Sequence, residues 1–227
     1  MNADLLAMFR NKKYMLKNGK YQHALDLGCR ALSGKDPVLI ARFSRAHLEQ
    51  ARDDGTINLF LLFLNRRIRI TWPEFECRDR LSGTLLPIPD KVLLVHYLNG
   101  ALNAGGPPET HEWIAFQDLP DGRFYHAAFD KRAKAPLIKG FGANPGLLQE
   151  AAARIYHADP IEIGDYGVVV RVLPLVPLAL VLWAGDAEFP PNGNILFDRN
   201  SVKLFSAEDV AWLAGRVVYP LLEMMNK

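Results

Sequence analysis

The 227-residue sequence predicts an α+β fold: a helical N-terminal segment, a mainly antiparallel sheet packed against helices, and a long C-terminal helix. Three observations carry that expectation. Apolar residues near the N-terminus recur at helical spacing, the strand-like runs that follow come in hairpins, and the C-terminal stretch returns to a helical stripe. The expected organisation is one domain over residues 1–227, with a helical segment 1–54 ahead of an α+β core 55–227.

Tyr21, Leu25, Gly28 and Leu32 form one helical stripe that ends near Ser33-Gly34. Asp36-Pro37 then supplies a side-chain cap and a residue that needs no N–H partner, so a second helix is expected to start there. Leu39, Phe43 and Ala46 would be its apolar face and Asp54-Gly55 its stop. Ile57–Leu64 is a nearly continuous apolar run, and after Asn65-Arg66 the pattern turns to period two at Ile68, Ile70 and Trp72. A buried strand joined to a half-exposed one in a hairpin explains both patterns.

Pro87, Pro89 and Asp90 introduce a helix that is apolar almost all round at Val92, Leu93, Leu94, Val95 and Leu98, with Gly100 as its expected end. A Gly/Pro loop, Ala104–Pro108, leads to Trp113–Phe116. Phe124–Lys134 reads as a helix halted or kinked by Pro136, and Asn144-Pro145 opens another, with Leu147, Leu148, Ala151, Ala152 and Ile155 on one side. Gly167–Leu173 and Leu178–Trp183 read as two core strands, followed by a loop, Gly185–Asn192, and a short strand, Asn194–Phe197. Arg171, Pro174 and Pro177 interrupt the apolar run Val168–Ala184, which excludes a membrane span there. Ser206, with Asp209 three residues on, caps the last helix; Val210, Leu213, Val217, Val218 and Leu221 are its buried stripe, and Pro220 is expected to kink it or tighten its last turn.

Composition narrows the function classes. Lys+Arg number 27 and Asp+Glu 25 for a net charge of +2, too weak an excess for a nucleic-acid-binding domain. The balance is uneven: residues 1–80 hold 15 basic and 9 acidic residues (15 − 9 = +6), the remainder 12 and 16 (12 − 16 = −4). Arg66, Arg67 and Arg69 cluster on the hairpin, either as a solvated face or as a contact for phosphate or an acidic partner. The two cysteines, Cys29 and Cys77, form no C-x-x-C pair, so this chain alone makes no disulfide framework or cysteine-rich metal site. With no secretory signal in Met1–Lys13, a cytoplasmic location with free buried thiols is expected.

No phosphate-loop or nucleophile-elbow motif occurs, and Gly140-Phe141-Gly142…Gly146 misses the dinucleotide spacing by one residue. The six histidines form no H-x-x-x-H pair. His96, inside the apolar helix, is either a hydrogen-bonded core residue or a ligand or base. The densest polar chemistry is Trp183–Pro191, where Asp186 and Glu188 follow a buried strand and Asp198 comes within reach after the next. Three carboxylates suit Mg²⁺ or Ca²⁺, or a pairing with arginine. Arg171 needs a carboxylate partner if its strand is buried, and this acidic loop is the expected source.

The ordered motifs Leu93–Leu98, Glu112–Pro120, Arg171–Pro174, Val181–Pro190 with Ile195–Asp198, and Ala207–Asp209 together resemble the prokaryotic family catalogued as domain of unknown function 3786, over about residues 20–222. The resemblance implies no established activity. Some members resembling it carry an added cysteine-rich iron–sulfur segment, which this chain lacks, so the resemblance suggests a link to anaerobic redox or corrinoid metabolism by neighbourhood only. The leading expectation is a small-molecule or cofactor-binding domain whose cleft uses His96, Arg171, Trp183, Asp186, Glu188 and Asp198. The alternatives are a metal-assisted or acid–base enzyme using Asp186 and Glu188, and an interaction module whose basic hairpin docks an acidic redox partner.

Overall fold

The computed structural model describes residues 19–51 and 54–225; the expectations for Met1–Lys13 lie outside them. Helix α1 covers residues 19–32 and α2 Pro37–Ser44. The Asp36 side chain accepts from Val38 N (2.8 Å), as its position before Pro37 predicts. α2 stops earlier than expected. Arg45 adopts a left-handed conformation (φ 54°) and closes the helix on the carbonyls of Ala41 and Arg42, so His47–Gln50 is a strand, β1, and not helix. The buried face of α2 is Ile40, Ala41 and Ser44, while Leu39 points outward.

β1 pairs with β2 (Ile57–Phe63), β2 with β3 (Arg66–Trp72) and β3 with β4 (Cys77–Asp79), all antiparallel. The predicted hairpin is there. Its turn residues, Leu64 and Asn65, have φ of 53° and 60°, the twist that joins two strands tightly. A leucine in that region is strained; here Leu64 is buried, and its N–H bonds Val172 O (2.9 Å) in the other sheet. Ile68 and Ile70 point to the core, and Arg67 and Arg69 to the opposite face.

The second sheet has the order β5-β9-β8-β7-β6, from β5 (Trp113–Ala115), β6 (Asp159–Ile161), β7 (Tyr166–Leu173), β8 (Val176–Trp183) and β9 (Asn192–Asp198). β8 is buried from Val176 to Leu182, as its unbroken apolar pattern requires of a central strand covered on both faces. Helix α6 (Gly146–Tyr156) lies against β7, and α4 (Gly122–Phe129) and α5 (Ala135–Phe141) run on towards β9. Of the two outcomes expected at Pro136, a halt or a kink, the halt does not occur. A π-helical stretch, Asp130–Lys134, widens the helix just ahead of it, and Pro136 falls in the first turn of α5, where its missing N–H costs little.

Helix α3 (Ile88–Ala104) passes through Gly100 and ends at Gly105 (φ 67°). Gly100 is a contact residue rather than a terminator: a Cβ there would lie 2.2 Å from Leu204 O. Helix α7 (Ala207–Met225) buries Val210, Leu213, Val217, Val218 and Leu221, as predicted. Pro220 sits inside it and offers no N–H to the turn before. The Tyr156 hydroxyl reaches the carbonyls of that turn, 2.9 Å from Val217 O and 3.5 Å from Arg216 O. The buried apolar residues of both sheets and these helices form one continuous cluster. No helix among the described residues is long and apolar enough to cross a membrane.

Gly100→Ala should cost about 1–3 kcal/mol of stability, because backbone rather than a flexible side chain meets the new methyl. Urea denaturation checks this; an unchanged midpoint would mean that α3 does not pack on the Ser201–Leu204 turn this closely.

Candidate functional site

Where the two sheets meet, a cleft of about 780 Å³ opens. One wall is the outward face of the first sheet, with Phe60, Leu62, Arg67 and Arg80; the other is β6 and β7, with Asp159, Val169 and Arg171. Arg45, His47 and Glu49 enter from the α2–β1 corner, Tyr156 and His157 from the end of α6. Polar and apolar groups thus share the lining, as in sites that hold small organic molecules.

Antiparallel register explains the arginines. Ile68 pairs with Asp79, and Arg80 N donates to Arg67 O (2.8 Å), so Arg67 and Arg80 stand directly opposite each other. Arg69 and Arg78 are opposite each other one pair further along that face. Like charges facing each other across strands repel. In the second pair Glu76 relieves this, its carboxylate accepting from Arg78 Nε at 2.6 Å. For Arg67 and Arg80 no carboxylate among the described residues lies within ion-pair distance. The Arg80 guanidinium instead lies over the Phe60 ring, 4.8 Å from its centroid, and that contact fixes its position. Arg66 leaves this group, turning towards Asp79 (4.0 Å) and Asp90 (3.9 Å).

On the opposite wall Arg171 is half exposed rather than buried, and its partner is not the acidic loop. Both its terminal nitrogens bond the carboxylate of Glu109, and Arg45 lies 3.9 Å from the same carboxylate. Glu109 is in irregular chain, so something must hold that segment. The fully buried Asp198 does so: one oxygen accepts from Thr110 N (2.8 Å), Thr110 Oγ1 (3.0 Å) and His111 N (2.7 Å), the other from Asn200 N (2.9 Å). Burial raises the Asp198 pKa, but the N–H donors of Asn200, Thr110 and His111 together outweigh it and hold the carboxyl below its ordinary value.

The six residues singled out by sequence are not brought together. Arg171 lines the cleft, and Asp198 organises the segment behind it. Arg171 on β7 pairs with Pro177 near one end of β8 and Trp183 lies at the other end of β8, so the two are roughly 20 Å apart. Trp183 is 40% exposed. Asp186 makes an Asx turn, accepting from Glu188 N (2.8 Å) and Phe189 N (2.7 Å), and these bonds lower its pKa. With Glu188 it borders a shallow depression beside Lys139. Asp186, Glu188 and Asp198 do not converge, and no metal-binding group of three His, Cys, Asp or Glu side chains occurs among the described residues.

His96 joins two helices. Its Nδ1 lies 3.0 Å from both carboxylate oxygens of Asp209, which also accepts from Ser206 Oγ (2.7 Å) in the predicted cap of α7. The hydrogen bond to Asp209 raises the pKa of His96 above 6.5 against the opposing effect of burial. Cys29 and Cys77 are free thiols; Cys77 is fully buried, and burial pushes its pKa up to about 12, so it is not a ready nucleophile. Arg80, Phe60 and Glu109 escaped the sequence reading. Arg80 follows a strand of only three residues, and Glu109 acts from a loop 62 positions away from its partner.

The fold and its cleft thus define a two-sheet α+β protein with an arginine-rich recess between the sheets. The family model described as "Domain of unknown function (DUF3786)" matches residues 36–219, and the chain belongs to that family. No curated protein and no solved structure matches the chain.

Two outcomes follow from these contacts. Asp198→Asn replaces one acceptor oxygen by a donor, which must face either the N–H groups of Thr110 and His111 or that of Asn200; it should cost about 1–3 kcal/mol, with faster proteolysis of the 106–112 segment. For the His96–Asp209 pair, a folded pKa above the unfolded value means that its stabilisation is full below pH 6.5 and fades as pH rises through the raised value. Stability measured by urea between pH 6 and pH 8 should therefore fall more steeply in the native protein than in His96→Asn; equal slopes would refute the assignment.

Proposed function

We propose that the protein binds a small anionic molecule in the cleft between its sheets. The observation that carries this reading is the charge of the lining. Arg45, Arg67, Arg80 and Arg171 face Glu49, Glu109 and Asp159, and Glu109 alone engages two of those arginines. Glu49 lies beside His47 (3.4 Å) and Asp159 is within ion-pair distance of none of the four, so Arg67 and Arg80 line the recess with no ion-pair partner among the described residues. Positive charge in a concave site raises the local concentration of anions and slows their escape. Leu62, Val169 and Pro174 add apolar surface for the uncharged part of the molecule. Of the residues expected from sequence, Arg171 belongs to this site, held by Glu109 as part of its wall.

Docking of an acidic redox partner would draw on the same hairpin. The small-ligand reading is preferred because Arg66 is turned to Asp79 and Asp90 and only Arg67 of that cluster lines the recess. Metal-assisted chemistry at Asp186 and Glu188 is less favoured, since the Asp186 carboxylate already closes its own turn.

Thermal unfolding in low-salt buffer with acetate, citrate, sulfate, inorganic phosphate and phenyl phosphate tests the reading. At a ligand concentration ten times the Kd, the Tm should rise by about 3–6 °C. The rise should be lost in the Arg67→Ser/Arg80→Ser double variant. No shift with any anion, or an equal shift in that variant, would overturn it.

A further inference from the structure

We infer that the anion is a phosphomonoester, its dianionic phosphate bound across Arg67 and Arg80 and its apolar body against Leu62 and Val169. The inference rests on the anion-binding reading above and adds the chemical class. Its first support is a comparison inside one sheet face. The Arg69–Arg78 pair and the Arg67–Arg80 pair have the same cross-strand geometry, and only the first has a carboxylate. The chain relieves the repulsion in the pair that lies outside the cleft lining and leaves it unrelieved in the pair that lines the cleft.

The second support is the match of charge and donors. Two guanidiniums present two planar forks and two positive charges. A carboxylate fills one fork and neutralises one charge, as Glu109 already does with Arg171 on the other wall. A phosphomonoester near pH 7 carries a charge of about −1.5 to −2 on three terminal oxygens, enough for both forks. A diester, with one charge and two free oxygens, is not.

Preorganisation is the third. The Phe60 ring holds the Arg80 guanidinium, and the backbone bond between Arg80 and Arg67 keeps the two side chains abreast. Leu62 stands directly opposite Arg67 on β2 and is 49% exposed in the cleft, so an apolar group next to the phosphate would find a surface there.

Calorimetric titration of the full chain at low salt tests this with four probes: phenyl phosphate, methyl phenyl phosphate, phthalate and inorganic phosphate. Phenyl phosphate should bind at least about tenfold more tightly than the diester or the dicarboxylate, and about tenfold more tightly than inorganic phosphate through its ring. Arg67→Ser and Arg80→Ser should each lose at least about tenfold, while Arg69→Ser should bind as the native protein does. If Arg67→Ser does not fold, Arg67→Lys keeps the charge, lacks the planar fork and should still weaken the monoester. Equal binding of phthalate or the diester would overturn the phosphomonoester inference and leave the anion reading standing. Equal loss in Arg69→Ser would mean a diffuse basic face and overturn the site. No binding by any probe would overturn both.

Discussion

The buried carboxylate of Asp198 is the constraint on which the cleft depends. Four donors converge on it, three of them from Thr110 and His111, a segment with no regular structure of its own. A charge in the interior is tolerable when its lone pairs are filled by fixed donors, and here those donors are the chain being held. Once the segment is fixed to the end of β9, Glu109 has one place to go, against Arg171 on β7 and near Arg45 at the end of α2. One satisfied carboxylate therefore sets the position of a second, and the second sets a wall. Arg171 and Arg45 are half exposed, so their pairing contributes little to stability. Its effect is to fix the shape and charge of the recess.

The sequence was legible where one physical signal dominated. Ile57–Phe63 and Arg66–Trp72 declare a hairpin because period two and a tight turn leave no other arrangement of the apolar residues. α7 is legible from its cap and stripe alike. The failures have local causes. α2 ends at Ser44 because Arg45 takes a left-handed conformation, a position usually given to glycine and therefore invisible by residue type. Gly100 suggests a helix end and Pro136 a stop or kink, yet the first is a point of contact and the second begins a turn after a π-helical stretch.

The candidate site was less legible for a different reason. Asp186, Glu188, Asp198 and His96 are conspicuous in sequence as polar groups beside apolar runs. Three of them spend their hydrogen bonds on the fold: Asp186 on a turn, Asp198 on a loop and His96 on a helix junction. Arg67, Arg80 and Glu109 matter to the cleft because of register and long-range contact, and neither is written in local pattern. The uneven charge of the chain is a clue of this kind. Some of its acids meet basic residues from distant segments, as Asp90 meets Arg216 and Glu109 meets Arg171, while Arg67 and Arg80, in the basic first part of the chain, have no such partner among the described residues.

The lengths of the strands carry a final consequence. β2, β3, β7, β8 and β9 have seven or eight residues each, and β8 is almost wholly apolar; exposed, such a segment would template pairing with other chains. Every long strand has a neighbour on both sides, and the outer strands β1, β4, β5 and β6 have only three or four residues. Pro160 further removes a donor from β6. The folded protein thus offers no long sheet edge among its described residues, and its shortest strands are what shield the longest ones from pairing with other chains.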